Sequence, residues 1–239
     1  MKKNLSNLKM AGIALLLLAA LFAVPSCKKS TDPTVLTGDT NIPLTQKDSV
    51  TDIYFTVNGT SMPGASMKVI SNDNGMVTYG ASIDLTAYPD SLITNLVTMI
   101  PQMISYYNPQ GVIWSVTSNN VLNIQFKVKV TSEGMQNYFV EGKPWTIRYA
   151  DGVGTNNSVT RSNGQTLTTT VTEKTGLDDW PYSLWLIKTS KVEFTAPADD
   201  PSISKVTFRV NHKFGLVYVK VEGKNGKVLE LDLINWFLL

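Results

Sequence analysis

Period-two alternation of apolar and polar residues runs through most of the chain beyond Val50 and predicts β-strands. Ile53, Phe55 and Val57 alternate with Asp52, Tyr54 and Thr56, and Leu122, Ile124, Phe126, Val128 and Val130 with Asn123, Gln125, Lys127 and Lys129. The same spacing recurs in Val206, Phe208 and Val210, and again in Leu229, Leu231 and Leu233. One dry and one wet face per strand is what antiparallel strands need when they cover a single core. Asn58-Gly59, Asn74-Gly75, Asn163-Gly164 and Asn225-Gly226 supply hairpin turns. Roughly ten or eleven strands at short spacing predict an all-β fold, an antiparallel β-sandwich or a barrel.

Two segments depart from the alternation. Between Gly152 and Gly176 the chain is nearly all Thr, Asn, Ser and Gly, with Val153, Val159, Leu167 and Val171 as its large apolar residues. This reads as a long solvated hairpin around Asn163-Gly164, either a projecting arm or an ordinary exposed hairpin. The second departure is helical. Leu92, Leu96, Met99, Ile100, Met103 and Tyr107 recur at three- and four-residue intervals. Asp90 is the expected N-cap, and Pro101 is expected to kink the helix or split it in two. No Lys, Arg, Asp or Glu occurs from Ser91 through Phe126, which predicts a helix covered on most sides. Two roles fit it: a core helix packed across the sheet, or a lid over an apolar cavity. In the second, Met99 and Met103 would offer an adaptable surface to a lipid-like ligand.

Composition enters through the first thirty residues. Lys2, Lys3 and Lys9 precede an apolar run from Met10 to Val24, closed by Val24-Pro25-Ser26-Cys27. A run of about 15 apolar residues suits a cleaved export signal and falls short of the roughly 20 that span a bilayer. The segment resembles the signal and lipobox of a bacterial lipoprotein. That resemblance implies cleavage before Cys27 and acylation of its thiol. Lys28 and Lys29 follow the cysteine, not the aspartate of inner-membrane retention, so the resemblance implies an outer-membrane anchor. The implied organisation is a signal peptide over 1–26, an acylated cysteine and flexible tether over 27–49, and one β-rich domain over 50–239. The general look is similar to that of small surface lipoproteins with a calycin-like barrel, here with one kinked helix.

Maturation changes the charge. Removing Lys2, Lys3 and Lys9 from the 21 basic residues leaves 18 against 19 acidic ones. A near-neutral chain with interleaved charges lacks the concentrated basic face that nucleic acid requires. Cys27 is the one cysteine, so no intramolecular disulfide forms and stability rests on core burial.

Candidate chemistry is sparse. His212 is the single histidine and continues the apolar stripe of Val206, Phe208 and Val210, which reads as edge of core and not as a catalytic base. One histidine and one acylated cysteine give no soft-ligand cluster for zinc or copper, and no cofactor is expected. Asp178-Asp179 and Asp199-Asp200 sit in loops without the alternating oxygen spacing of a calcium site. Trp114, Trp145, Trp185 and Trp236 read as core. Trp180-Pro181-Tyr182, beside Asp178 and Asp179, could stack on a sugar ring while the acids bind hydroxyls, or could plug one end of the β fold. The apolar ending Leu233–Leu239 predicts a paired C-terminal strand. The expected function is a noncatalytic binding module for a glycan or an envelope protein. The alternatives are a carrier of an apolar ligand with residues 90–107 as its lid, and an enzyme of unrecognised type.

Overall fold

The computed structural model describes residues 35–176, 179–182 and 184–234, the side chains of 91, 92, 95 and 96 excepted. Cys27, Asp178 and Trp236 lie outside these residues. Residues 32–239 form one compact unit.

Among the described residues, fifteen strands and one α-helix follow in chain order. They are β1 (Val50–Val57), β2 (Thr60–Asp73), β3 (Met76–Asp84), α1 (Asp90–Tyr107), β4 (Ile113–Val116), β5 (Val121–Thr131), β6 (Gly134–Val140) and β7 (Lys143–Arg148). Then come β8 (Asn156–Thr160), β9 (Thr166–Lys174), β10 (Trp180–Tyr182), β11 (Trp185–Ile187), β12 (Ser190–Thr195), β13 (Ile203–Asn211), β14 (Gly215–Gly223) and β15 (Val228–Ile234). Thirteen strands make one antiparallel sheet in the order β7-β6-β5-β3-β2-β1-β15-β14-β13-β12-β9-β8, with β4 added to β5. Read around the ring, this is an up-and-down meander in which β1 meets β15 (Asp52↔Ile234 to Val57↔Leu229). The two ends of the sheet, β7 and β8, are joined by side chains: Trp145 Nε1 donates to the Asn157 carbonyl at 2.9 Å and Lys143 Nζ to that of Thr160 at 2.6 Å. The sheet is therefore a nearly closed barrel, of the calycin-like kind, and not two stacked sheets.

The alternation sets its polarity. Phe126, Val128, Val206, Phe208 and Val219 face the lumen, while Gln125, Lys127, Lys129 and Lys220 alternate with them on the outside. An apolar inside and a polar outside is the reverse of a transmembrane barrel. The segment from Asn156 to Lys174 is barrel wall and not an arm: Val159, Leu167 and Val171 are buried, and Thr168 and Thr170 form side-chain hydrogen bonds to Ser158 and Asn156. At Asn74-Gly75 both residues have positive φ (54° and 86°), the type I′ geometry that matches strand twist. Glu141-Gly142 adopts the same signs (51° and 68°) and makes a turn that an Asn-Gly search does not find.

Meander topology puts the β1–β2, β6–β7, β8–β9, β12–β13 and β14–β15 turns at one end of the barrel. The β2–β3, β5–β6 and β13–β14 turns are at the other. Helix α1 closes the first end. It starts after Pro89, not at an Asp90 cap, and runs without interruption through Pro101 to an Asn108 C-cap with φ 47°. Its N-terminal half, through Ile93 and Ile100, packs on Leu85, Tyr88 and Leu122. Its C-terminal half, through Met103 and Tyr107, joins Trp145, Phe194 and Val206. Thr94, Thr98, Gln102 and Ser105 are nevertheless exposed, and Val97 with them, so one face is solvated mainly by neutral polar groups. Absence of charge did not mean cover on most sides.

Residues 35–49, expected to be part of a tether, are docked at the second end. Leu36 is buried, Thr131 Oγ1 donates to the Thr37 carbonyl at 2.6 Å, and Arg148 Nη2 donates to that of Val35 at 2.7 Å. Backbone pairing of Ser132 N with the Asp39 carbonyl at 2.8 Å adds to this. These bonds need no long apolar run, which is why composition alone suggested a loose chain.

Candidate functional site: the barrel lumen

The strands leave space inside. A cavity of about 290 Å³ lies beneath the C-terminal half of α1, lined by Met103, Tyr107, Phe126, Phe139, Trp145 and Phe208 among others. A second, of about 100 Å³, lies toward the opposite end and shares Phe126, Val128, Met135 and Leu216 with the first. The shared walls make one elongated lumen with a narrow middle. Its shape follows from strand number: about a dozen strands enclose more room than Val, Phe and Met side chains fill.

Polar groups in the larger cavity are committed elsewhere. Asn137 Oδ1 accepts from Phe139 N at 3.1 Å, and Thr169 Oγ1 donates to the Asn157 carbonyl at 3.2 Å. The smaller cavity differs. Tyr79 and Tyr149 line it, and burial pushes both phenols above their ordinary range. His212 and Lys213 contribute to its rim from the β13–β14 turn. The lumen is thus apolar under α1 and carries hydroxyl and cationic groups near its other end.

Three turns hold α1 in place. Tyr107, 1% exposed, donates its hydroxyl to Asp200 in the β12–β13 loop. Asp200 Oδ1 also accepts from Ser202 N (2.8 Å) and Ile203 N (2.7 Å). Glu141 N donates to the Tyr107 carbonyl at 2.8 Å, and Arg161 Nη2 to the Tyr106 carbonyl at 2.6 Å. The Arg161 guanidinium lies 4.3 Å from the Tyr106 ring centre. Burial, then the Asp200 hydrogen bond, drives the Tyr107 phenol upward, so it is a donor at any physiological pH. The N-terminal half is held by apolar packing, and Pro101, lacking an N–H, leaves a gap in the helix ladder between the halves.

Met103 lines the larger cavity, while Met99 is half-buried and outside its lining. Trp180 and Tyr182 belong to a separate hairpin, β10–β11, at the second barrel end. Tyr182 is 3% exposed and packs on Phe214, ring centres 4.6 Å apart. The face of Trp180 is covered by the Arg209 guanidinium at 4.0 Å, and its edge meets Tyr218 at 5.4 Å. Asp179 is exposed beside them.

Trp145 is buried as expected, but Trp185 is 56% exposed and is not core. His212 is exposed in a turn and not part of the stripe of Val206, Phe208 and Val210. Glu222 is at the opposite barrel end from it, and Glu193 is held by Lys191 and Lys205 at 2.9 and 3.0 Å. Among the described residues no group of three His, Cys, Asp or Glu side chains could hold a metal ion. Phe139 and Phe194, which sequence reading did not single out, are lumen residues; their signal was the alternation of β6 and β12, each only six or seven residues long. Compared with protein-family models, curated proteins and solved structures, the chain matches none.

Proposed function

We propose that this protein is a noncatalytic carrier that holds an apolar ligand in the barrel lumen, with α1 closing one end. The observation that carries this reading is the apolar cavity of about 290 Å³ beneath Met103 and Tyr107. Ligand pockets begin near 300 Å³, and apolar cavities of about half that volume accept small hydrocarbons. Each methylene moved from water into such a space contributes about 0.8 kcal/mol.

The ligand this lumen suits has an apolar body under α1 and a hydrogen-bonding end near Tyr79 and Tyr149. A glycan on Trp180 and Tyr182 has less support, because Arg209 and Phe214 occupy the faces a sugar would need. On the lipoprotein reading, Cys27 bears the acyl chains and the domain stands on the outer membrane. The charged start, the apolar run and Ser26-Cys27 support that part.

Titration with a fluorescent polyene fatty acid tests the carrier reading. The protein is expected to enhance probe emission saturably, and Val219→Trp, which fills the larger cavity, to weaken binding at least tenfold. Equal binding by that variant would put the ligand elsewhere.

A further inference from the structure

The β10–β11 hairpin stands apart from the barrel sheet, and its described residues form no polar face. Its register, Trp180↔Ile187, Pro181↔Leu186 and Tyr182↔Trp185, sorts the side chains. Trp180, Tyr182 and Ile187 turn inward, against Val217 and Phe214. The other face presents Pro181 and Leu186, both exposed. At the tip Leu184 is 85% exposed, Trp185 56% and Leu186 58%. A surface hairpin ordinarily turns polar residues to water on its second face. Three consecutive large apolar residues in the open indicate a partner that is itself apolar at contact.

The surroundings say which kind. Asn211 ties two cationic residues to the hairpin base: its Nδ2 donates to the Lys188 carbonyl at 2.6 Å, and its Oδ1 accepts from Lys213 N at 2.7 Å. Lys174 lies on the neighbouring strand, opposite Ser190. Lys174, Lys188, His212 and Lys213 are all exposed. Of the acids nearby, Glu173 is engaged by Arg209 at 3.0 Å, while Asp179 next to Trp180 and Asp232, opposite Tyr218 on β15, are exposed. Aliphatic side chains and an indole at the tip, with lysines set behind them, match the layering of a bilayer surface: acyl region, interface, anionic headgroups.

We propose that Leu184, Trp185 and Leu186 insert into the interface of an anionic phospholipid bilayer, with Lys188 and Lys213 against the headgroups. This surface is at the barrel end where Tyr182, His212, Lys213 and Phe214 line the smaller cavity, so docking brings that end of the lumen to the membrane. The inference stands whether or not the lumen carries a ligand.

Every core cluster among the described residues lies within the 32–239 unit, which can therefore be tested without the preceding segment. It is expected to co-sediment with phosphatidylcholine vesicles containing about 30% phosphatidylglycerol, and less with phosphatidylcholine alone. L184S/W185S/L186S replaces exposed groups, so it should keep the parent's circular dichroism and Tm while losing at least tenfold in partitioning. K188E/K213E should lose binding to the anionic vesicles. Val219→Trp should bind vesicles as the parent does, which separates this claim from the carrier reading. The proposal is overturned if the parent does not sediment, or if the triple serine variant sediments equally. It is also overturned if the parent dimerises through this tip, a dimer that the triple variant would lose.

Discussion

The Tyr107 hydroxyl donates to the Asp200 carboxylate, joining the last turn of α1 to the β12–β13 loop inside an otherwise apolar layer. Both residues are buried, at 1% and 2% exposure. Tyr107→Phe leaves one oxygen of a buried carboxylate without its donor, a loss of about 1–3 kcal/mol. Asp200→Ala should cost more, since it also strands the Ser202 and Ile203 amides. Urea unfolding measures both. If α1 is the closure, Tyr107→Phe should also speed release of a lumen-bound probe.

Glu141 fastens the β6–β7 turn to the β8–β9 turn. The Ser162 hydroxyl, at 2.7 Å, and Lys143, at 3.0 Å, hold its carboxyl down to about 2. A carboxylate lowered on folding stabilises above its unfolded value of about 4.3 and loses that contribution as pH falls toward 2. Glu141→Gln should therefore differ most from the parent near neutrality, and the two stability curves should converge as pH falls through that window. Hydrogen exchange at the Ser162 amide, which donates to Glu141 at 2.7 Å, should show the same trend.

Gly75 occupies a left-handed position (φ 86°), and a Cβ there would lie 2.7 Å from Thr40 Cγ2 and 3.0 Å from the Val130 carbonyl. Gly75→Ala should cost about 1–3 kcal/mol. Gly152, whose added Cβ meets nothing within 4 Å, provides the control. Gly152→Ala should change stability by less than about 0.5 kcal/mol. Thermal unfolding of the pair measures the contrast.

The lipoprotein reading makes its own prediction. Cys27→Ala should abolish incorporation of radiolabelled palmitate and leave the precursor uncleaved. Metabolic labelling with immunoprecipitation detects both, and labelled, processed Cys27→Ala protein would contradict the lipobox.

Strands with strict alternation, such as β5 and β13, were legible because each buries one face along its whole length. The Asn58-Gly59 and Asn74-Gly75 turns were legible because type I′ geometry needs two residues that tolerate positive φ; at Asn163-Gly164 and Asn225-Gly226 only the glycine takes it. Less of β8 and β9 could be read, since Thr169 does the work of an apolar residue on the inner face. The β10–β11 hairpin escaped because three-residue strands show no period, and Trp185 turned out on the surface. The helix was visible in its spacing, but its exposed face uses Thr, Gln and Ser where most helices use charge. The lumen was legible only as one of two roles for the helix, a lid over an apolar cavity with Met103 on it; its walls were not, because Phe126 and Phe208 were seen as stripe residues. The space between them depends on how many strands close the ring, which no local pattern records.

The central claim is that the lumen carries an apolar molecule. Native mass spectrometry of the protein purified from its host under nondenaturing conditions tests it most directly. The account predicts a species heavier than the mature chain by one small molecule, lost on organic extraction. Only the mass of the acylated polypeptide, in a preparation that also fails to take up the polyene probe, would contradict it.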